Sequence, residues 1–202
     1  MARYTGPRVR ISRRFGVPIF GPSKYLERRN YGPGMHGPKS RRKHTEYGLG
    51  LIEKQKLRYY YGLMEKQFRG VYEKALRRRG VTGEQMLQIL ETRLDNVVFH
   101  IGFGNTRAQA RQMVCHGHVK VNGRKVSIPS YALKVNDVIE VKDTNASKQM
   151  ATRSMESSTS RVVPDWLSLD KAGMKASVMR IPTRAEIQPI ANEQAVVEFY
   201  SR

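Results

Sequence analysis

One pair of residues, Asn122-Gly123, constrains the fold of this chain more than any other local feature. It separates two short alternating runs, Val119-Lys120-Val121 and Arg124-Lys125-Val126. Asn-Gly between such runs is a strong signal for a type I′ β-hairpin, because both central residues of that turn need a positive φ. A third strand is predicted at Val138 to Val141. The middle of the chain should therefore form a short, mostly antiparallel sheet.

Helical signals precede the hairpin. Thr106 is a predicted N-cap, and Gly117 suits the left-handed position that follows the end of a helix. Upstream, a helix is predicted to begin at Thr82, and its apolar stripe continues past Arg93, which suggests a bent helix leading into the next element. Together these signals predict a small module, residues 93–155, with two helices packed on the sheet.

The first 45 residues have a different character. They contain four Gly-Pro pairs, which oppose regular helix, and 12 of the 45 residues are Lys or Arg. We expect a basic extended arm whose order depends on a partner. Aromatic residues placed among cations suit stacking on bases and contact with phosphates. The aromatic residues concerned are Tyr4, Phe15, Phe20, Tyr25 and Tyr31.

The remaining segments complete an α+β chain. Residues 46–92 show helical periodicity and are predicted to form a helical domain, which residues 181–202 complete. The inserted domain spans 93–180, with a linker or marginal helix at 143–160 and short strands around Ser168 to Val178. The C-terminal segment has both helix and strand signals, and we favour a short helix.

The charge of the chain is strongly positive and uneven. The net charge is +20, and residues 1–79 alone hold 21 basic and 5 acidic residues. Such a balance fits a polyanionic partner, and nucleic acid is the default one. A membrane surface would call for a basic amphipathic helix with an apolar face, and none is evident. An organelle transit peptide fits less well, because the Gly-Pro pairs oppose an amphipathic helix.

A second basic cluster is predicted around the hairpin. Arg107 and Arg111 lie one helical turn apart, and Arg107 stands in the first turn, where free backbone N–H groups attract phosphate. The hairpin adds Lys120, Arg124 and Lys125. We expect a concave cationic surface for a folded RNA backbone. The alternative is a pair of exposed arginines that serve solubility.

No catalytic or metal-binding pattern accompanies these charges. The five histidines lie outside any hydrolase or metalloprotease motif, and His116-x-His118 beside Cys115 lacks a fourth ligand. Cys115 is the only cysteine and is expected to be a small buried residue rather than a reactive thiolate. Glu91 and Asp95, one turn apart, are expected to form structural ion pairs. We expect no enzyme activity, metal or cofactor.

Several stretches of the central module resemble a known family. They are Arg93 to Val98, Gly102-Phe103, Thr106 to Gln112, His116 to His118 and Val121 to Gly123. These stretches look like the small RNA-binding domain named after ribosomal small-subunit protein four. That domain also occurs in RNA-modifying enzymes and in a tyrosyl-tRNA synthetase.

The flanking segments extend the resemblance to nearly the whole chain. They are Ala2 to Pro7, Pro33 to Gly37, Glu53 to Arg58, Tyr61-Gly62, Gln67 to Arg69 and Val197 to Arg202. They resemble the bacterial family of ribosomal small-subunit protein four itself.

Two features depart from the family pattern. Val9 and Ser12 stand where some members begin a zinc-binding Cys-x-x-Cys, so no zinc is expected, and the segment from Gly21 to Glu27 looks shorter.

The resemblance implies a structural constituent of the small ribosomal subunit. Such a protein is a primary binder of 16S ribosomal RNA and nucleates assembly of the subunit body. With small-subunit proteins five and twelve it contributes to translational accuracy, and contact with protein five is implied. A cytoplasmic location in the small ribosomal subunit follows, with an organellar ribosome as the alternative, and neither a membrane nor a small-molecule substrate is expected as partner.

The candidate RNA-binding residues fall into two groups. Those of the central module are Arg93, Thr106, Arg107, Arg111, Gln112, His116, His118, Lys120, Asn122, Gly123, Arg124 and Lys125. Those of the N-terminal part are Arg3, Tyr4, Arg8, Arg10, Arg13, Arg14, Arg41, Arg42, Lys43, Lys54, Lys56, Arg58 and Arg69.

Two rival interpretations use the same module. An RNA-modifying enzyme such as a pseudouridine synthase would need a further catalytic domain with an active-site aspartate, and no residues remain to build one. A free-standing RNA-binding regulator or assembly factor is the other, although such proteins lack this long basic arm and the matching C-terminus.

Overall fold

The structure is a computed structural model that describes residues 4–39, 43–158, 161–188 and 190–201. Its α-helices are α1 (Arg8–Phe15), α2 (Lys24–Arg28), α3 (Glu46–Tyr60), α4 (Glu65–Leu76), α5 (Thr82–Glu91), α6 (Leu94–His100), α7 (Arg107–Cys115), α8 (Asn145–Ser157) and α9 (Glu193–Ser201). Its strands are β1 (Val119–Val121), β2 (Arg124–Lys125), β3 (Val138–Val141), β4 (Leu167–Asp170) and β5 (Lys175–Val178). The predicted α+β class is confirmed.

The chain divides into two compact units. The first comprises Met1–Gly83 and Pro189–Arg202, and the second comprises Glu84–Gln188. The division falls within α5, whereas the predicted one follows that helix. None of the helices in the described ranges combines the length and the apolar character that a membrane crossing requires.

The N-terminal arm is not extended throughout, which corrects the prediction. Helix α1 occupies the interval between Pro7 and Gly16. Pro7 stands at the N-cap with β-region dihedrals, and Gly16 ends the helix with a φ of 67°. Pro7, from a Gly-Pro pair predicted to oppose helix, is therefore a helix boundary, and the eight residues between it and Gly16 are enough for two turns.

Within the first unit, an aromatic cluster around Tyr59 packs the arm against α3. The Tyr59 ring lies 5.1 Å from Tyr4, 6.2 Å from Phe15 and 6.3 Å from Phe20, measured between centroids. Three of the five aromatic residues that we predicted to stack on RNA are thus packed within the protein. Tyr25 is exposed, as a stacking residue would have to be.

The C-terminal segment is a helix, α9, as favoured by the sequence. Lys54 of α3 is buried, and its Nζ donates to Oε1 of Glu65 at 2.7 Å. Tyr200 of α9 donates its hydroxyl proton to the same oxygen at 2.7 Å. The Lys54 ammonium also lies 5.2 Å from the centroid of the Phe199 ring. A buried cation and one carboxylate therefore fasten α9 to α3 and α4.

The second unit is built on a five-stranded antiparallel sheet in the order β2-β1-β3-β5-β4. The predicted type I′ turn is confirmed by positive φ angles of 50° at Asn122 and 75° at Gly123. The Asn122 side chain accepts a hydrogen bond from the amide of Val138 and donates one to Asp137. It thereby joins the turn to β3.

Helices α6, α7 and α8 belong to this unit with the sheet. The apolar core includes Val97, Phe103 and the buried Trp166. Residues 145–157 form a helix, which decides between the two options left open for that segment. The bent helix expected to run past Arg93 is two helices, because Arg93 has extended dihedrals and bridges to Ala132.

Candidate nucleic-acid interface

Two of the predicted RNA-binding arginines lie beneath the surface of the second unit. Arg93 is 7% exposed and Arg111 is 9% exposed. Arg93 donates two hydrogen bonds to the Asp95 carboxylate, at 3.0 and 2.8 Å, and Arg111 donates a third at 3.0 Å. The expected structural ion pair at Asp95 is confirmed. It commits both guanidinium groups to one buried carboxylate.

Arg107 is also held in place, although part of it remains exposed. Its Nε donates to Oδ1 of Asn96 at 3.0 Å, and its guanidinium carbon lies 4.3 Å from the centroid of the Phe99 ring. The guanidinium of Arg161 stacks on the same ring at 3.9 Å. The predicted N-cap is confirmed, since the Thr106 hydroxyl accepts from the amide of Gln109 at 3.2 Å. Arg107 is thus a preorganised cation in the first turn of α7.

A basic surface adjoins the end of α7, and we call it the hairpin surface. Its members are the exposed or half-exposed residues Gln112, His116, Lys120, Arg124 and Lys125. Lys125 stands directly opposite Lys120 in the β1–β2 pairing.

Lys125 also runs back across the end of α7. A Cβ built on Gly117 would lie only 2.0 Å from Cε of Lys125, so the aliphatic stem of Lys125 needs a glycine beneath it. Gly117 also has a φ of 71°, which favours glycine at the end of α7.

The junction between α7 and β1 holds histidines and the lone cysteine. Nδ1 of His118 lies 2.8 Å from Oγ of Ser147, which is fully buried on α8. Burial lowers the pKa of His118, and the neighbouring His116 and lysines add to the effect. Burial raises the pKa of the half-buried Cys115 thiol, so it is not an activated thiolate. Within the ranges that the structure covers, no three His, Cys, Asp or Glu side chains gather as metal ligands would.

The first unit carries a second exposed basic surface, which we call the arm surface. Its members are Arg8, Arg10, Arg14 and Lys43, all exposed. Arg13 is different, because it donates to the carbonyl oxygens of Tyr31 and Gly32 at 3.2 and 3.1 Å. Tyr4 belongs to the aromatic cluster. Arg3, Arg41 and Arg42 were also predicted to bind RNA, but they lie outside the described residues.

The predicted RNA contacts on α3 and α4 are engaged in ion pairs. Lys54 pairs with Glu65, Lys56 with Glu53 at 2.6 Å, and the exposed Arg69 with Glu73 at 3.3 Å. Arg58 lies 3.8 Å from Glu65 and stacks on Tyr59 at 4.4 Å. Burial of Glu65 by itself would raise its pKa, but hydrogen bonds from Lys54 and Tyr200 outweigh that effect and lower the pKa. These cations therefore stabilise the first unit.

One exposed basic run was not selected from the sequence. Arg77, Arg78 and Arg79 follow α4 and are all exposed. None of the three forms an ion pair within the part of the chain that the structure describes. The signal was a run of three arginines before Gly80.

Comparison with known proteins matches both units of the chain to described families. Residues 3–91 match the family described as ribosomal protein S4/S9 N-terminal domain, and residues 92–139 match the S4 domain. The chain is 59% identical to small ribosomal subunit protein uS4 of Opitutus terrae over the full length of both. The corresponding protein of Akkermansia muciniphila is 54% identical, and that of Listeria monocytogenes is 47% identical, again over both full lengths.

A basic α+β fold that carries an S4 domain defines an RNA-binding protein of the ribosomal class. Its full-length relatives narrow that class to one family. The chain belongs to the family of small ribosomal subunit protein uS4. Membership of a ribosomal protein family also confirms the expectation that the chain is not an enzyme.

Proposed function

We propose that this chain is a structural constituent of the small ribosomal subunit and a primary binder of 16S ribosomal RNA. The observation that carries the proposal is the identity over the full length of both chains, 59% in one case, to relatives named for that subunit. The charge of the chain agrees with this role, because a net +20 fits a partner rich in phosphate.

The RNA contacts of the second unit are assigned to the hairpin surface and Arg107. Arg124 and Lys125 are exposed on an edge strand, and neither forms an ion pair with another described residue, so both can reach phosphates. Arg93 and Arg111 support this surface from the interior and do not contact RNA themselves, because Asp95 holds their guanidinium groups. Thr106, Asn122 and Gly123 shape the helix cap and the turn, while His118 is tied to Ser147.

A charge-matched pair of variants tests the hairpin surface. Arg124→Ala with Lys125→Ala should weaken binding to 16S rRNA and flatten its dependence on salt by a slope of roughly 1 to 2, since each lost phosphate contact lowers the slope by about 0.9. Arg153→Ala with Lys171→Ala removes the same charge from other exposed positions of the same unit. Equal effects of the two pairs would reject the hairpin surface as the contact site.

Sedimentation tests the proposed function itself. The chain should run with small subunits in a one-to-one ratio, and omission of the chain from reconstitution should stop the subunit body from assembling. Substoichiometric association that disappears from mature subunits would instead support the alternative, a free-standing RNA-binding regulator or assembly factor.

The proposal extends to neighbours and location. We place the chain beside small-subunit protein five, with which, together with protein twelve, it would contribute to translational accuracy in the cytoplasm. The bacterial source of the full-length relatives supports the cytoplasmic location. Crosslinking within intact small subunits tests the placement. A crosslink map that lacks protein five would refute that contact without affecting the binding of rRNA.

A further inference from the structure

The first unit contains a cavity of about 780 Å³ between α1 and the loop that follows α2. The polar or charged residues that line it are Tyr4, Arg10, Arg14, His36 and His44. No acidic side chain is among the described residues that line it. Its size lies within the usual range for sites that enclose a small organic group.

Two arginines of α1 line the cavity, and a third holds the loop that forms its wall. Arg10 and Arg14 stand four residues apart, so both lie on the face of α1 that borders the cavity. Arg13 faces the loop, where it donates to the carbonyl oxygens of Tyr31 and Gly32 and stacks on the Tyr31 ring at 4.9 Å. Arg13 therefore holds the loop against α1 while the other two arginines stay available.

The remaining walls are also fixed by close packing. A Cβ built on Gly37 would lie 2.0 Å from the carbonyl oxygen of Gly32, so the loop closes on itself only with glycine there. Tyr4 is held on the other side by its edge contact with Tyr59, at 5.1 Å between centroids. Two walls of the cavity are therefore held in place by packing within the first unit.

Its chemistry selects an anion that carries a flat ring. Arg10 and Arg14 are exposed and form no ion pair with an acidic residue anywhere in the ranges described. Two guanidinium groups in reach of each other suit a phosphate, and tyrosine and imidazole rings suit an unstacked base. The volume exceeds what a lone phosphate needs.

We propose that this cavity receives one nucleotide extruded from a ribosomal RNA strand, with its phosphate against Arg10 and Arg14 and its base against Tyr4 or the two imidazoles. The inference rests on the proposed function and adds to it a single defined subsite. An arm that bound RNA only through its charge would need no cavity. An acidic protein segment would satisfy the arginines but would not use the rings.

Charge-matched variants separate a subsite from general attraction. Arg10→Ala with Arg14→Ala should weaken binding of the full chain to 16S rRNA roughly tenfold more than Arg8→Ala with Arg28→Ala, because stacking of a base is lost together with the phosphate contacts. Both pairs remove two exposed arginines from the arm. Equal losses would overturn the subsite while leaving rRNA binding, and so the proposed function, intact. Failure of the unaltered chain to bind would reject the proposed function instead.

A photocrosslink tests the occupant directly. A benzophenone amino acid in place of His36 should crosslink to one nucleotide in assembled subunits, and the same group in place of the exposed Lys24 should give a weaker, scattered pattern. Crosslinks from position 36 to a protein, or a scattered pattern like that of the control, would overturn the proposal. Gly37→Ala adds a variant that changes no charge and should also reduce rRNA binding, because its Cβ would push the loop away from Gly32 and distort that wall of the cavity.

Discussion

The two units use similar cations in opposite ways. In the second unit, Arg93 and Arg111 are buried on a single carboxylate, so of the cations predicted to bind RNA there, those of the hairpin and Arg107 are the ones left near the surface. In the first unit, Arg8, Arg10 and Arg14 project from a short helix, and aromatic residues supply the packing beneath them. The number of basic residues in a segment therefore gives the net charge of that region, but it does not show which of those cations are exposed to a partner.

The largest effect is expected at the buried ion pair of the second unit. Asp95→Asn keeps the size of the side chain but leaves two buried guanidinium groups without a counterion, which should lower the free energy of unfolding by about 3 to 5 kcal/mol. Urea unfolding followed by the fluorescence of Trp166, the single tryptophan, measures it. Asp143→Asn, at the exposed partner of Lys148, should leave the midpoint unchanged. Similar midpoints for the two variants would show that the buried ion pair at Asp95 stabilises the second unit no more than an exposed one does.

A smaller and more local effect is expected in the first unit. Tyr59→Ala removes the centre of the aromatic cluster, and the arm should lose about 2 kcal/mol of local stability, because three ring contacts disappear. Limited trypsin digestion should then cleave at Arg10 and Arg14 faster, while unfolding reported by Trp166 should hardly change. Tyr25→Ala, at an exposed ring, serves as the control. An arm that is cleaved equally fast in the unaltered chain would mean that the cluster does not hold it.

The smallest effect concerns the pH dependence of the first unit. The pKa of Glu65 is lowered in the folded state, so its contribution is present above the pKa of the unfolded chain and is lost as the pH falls through the folded value. Glu65→Gln should therefore cost about 1 kcal/mol near pH 6 and much less near pH 3, a modest figure because the Glu65 side chain is 44% exposed.

Circular dichroism of urea unfolding at the two pH values measures this difference. Glu73→Gln, at the exposed ion pair with Arg69, provides the matched control and should show little dependence on pH. A Glu65→Gln cost that stays constant down to pH 3 would contradict the proposed role of its ionised form.

Local signals predicted the second unit well. Thr106 caps α7, and Asn122 and Gly123 adopt the positive φ angles of a type I′ turn, because each depends on neighbours only a few residues away. The arm shows the limit of such signals. The Gly6-Pro7 pair predicts that helix is disfavoured, although Pro7 serves equally well as the residue that precedes one.

The candidate interface was predictable in location but not in detail. Both basic regions were found from charge alone, whereas the burial of Lys54 depends on Glu65 and on Tyr200, which lies far away in the sequence. The same holds for Tyr4, whose ring makes an edge contact with Tyr59 of α3, far away in the sequence. Periodicity cannot reveal such partners, because they are chosen by tertiary packing.

Turn chemistry, charge and motif are local properties, so the residues alone were enough to predict the fold class, the hairpin, the two basic regions and the resemblance to a ribosomal family. Which cations are exposed depends instead on how the chain packs. Burial of a charge requires a counterion, and for Arg111 that counterion, Asp95, comes from a different helix. The Asn122-Gly123 turn is the counterexample, since its backbone geometry was fixed by the two residues themselves.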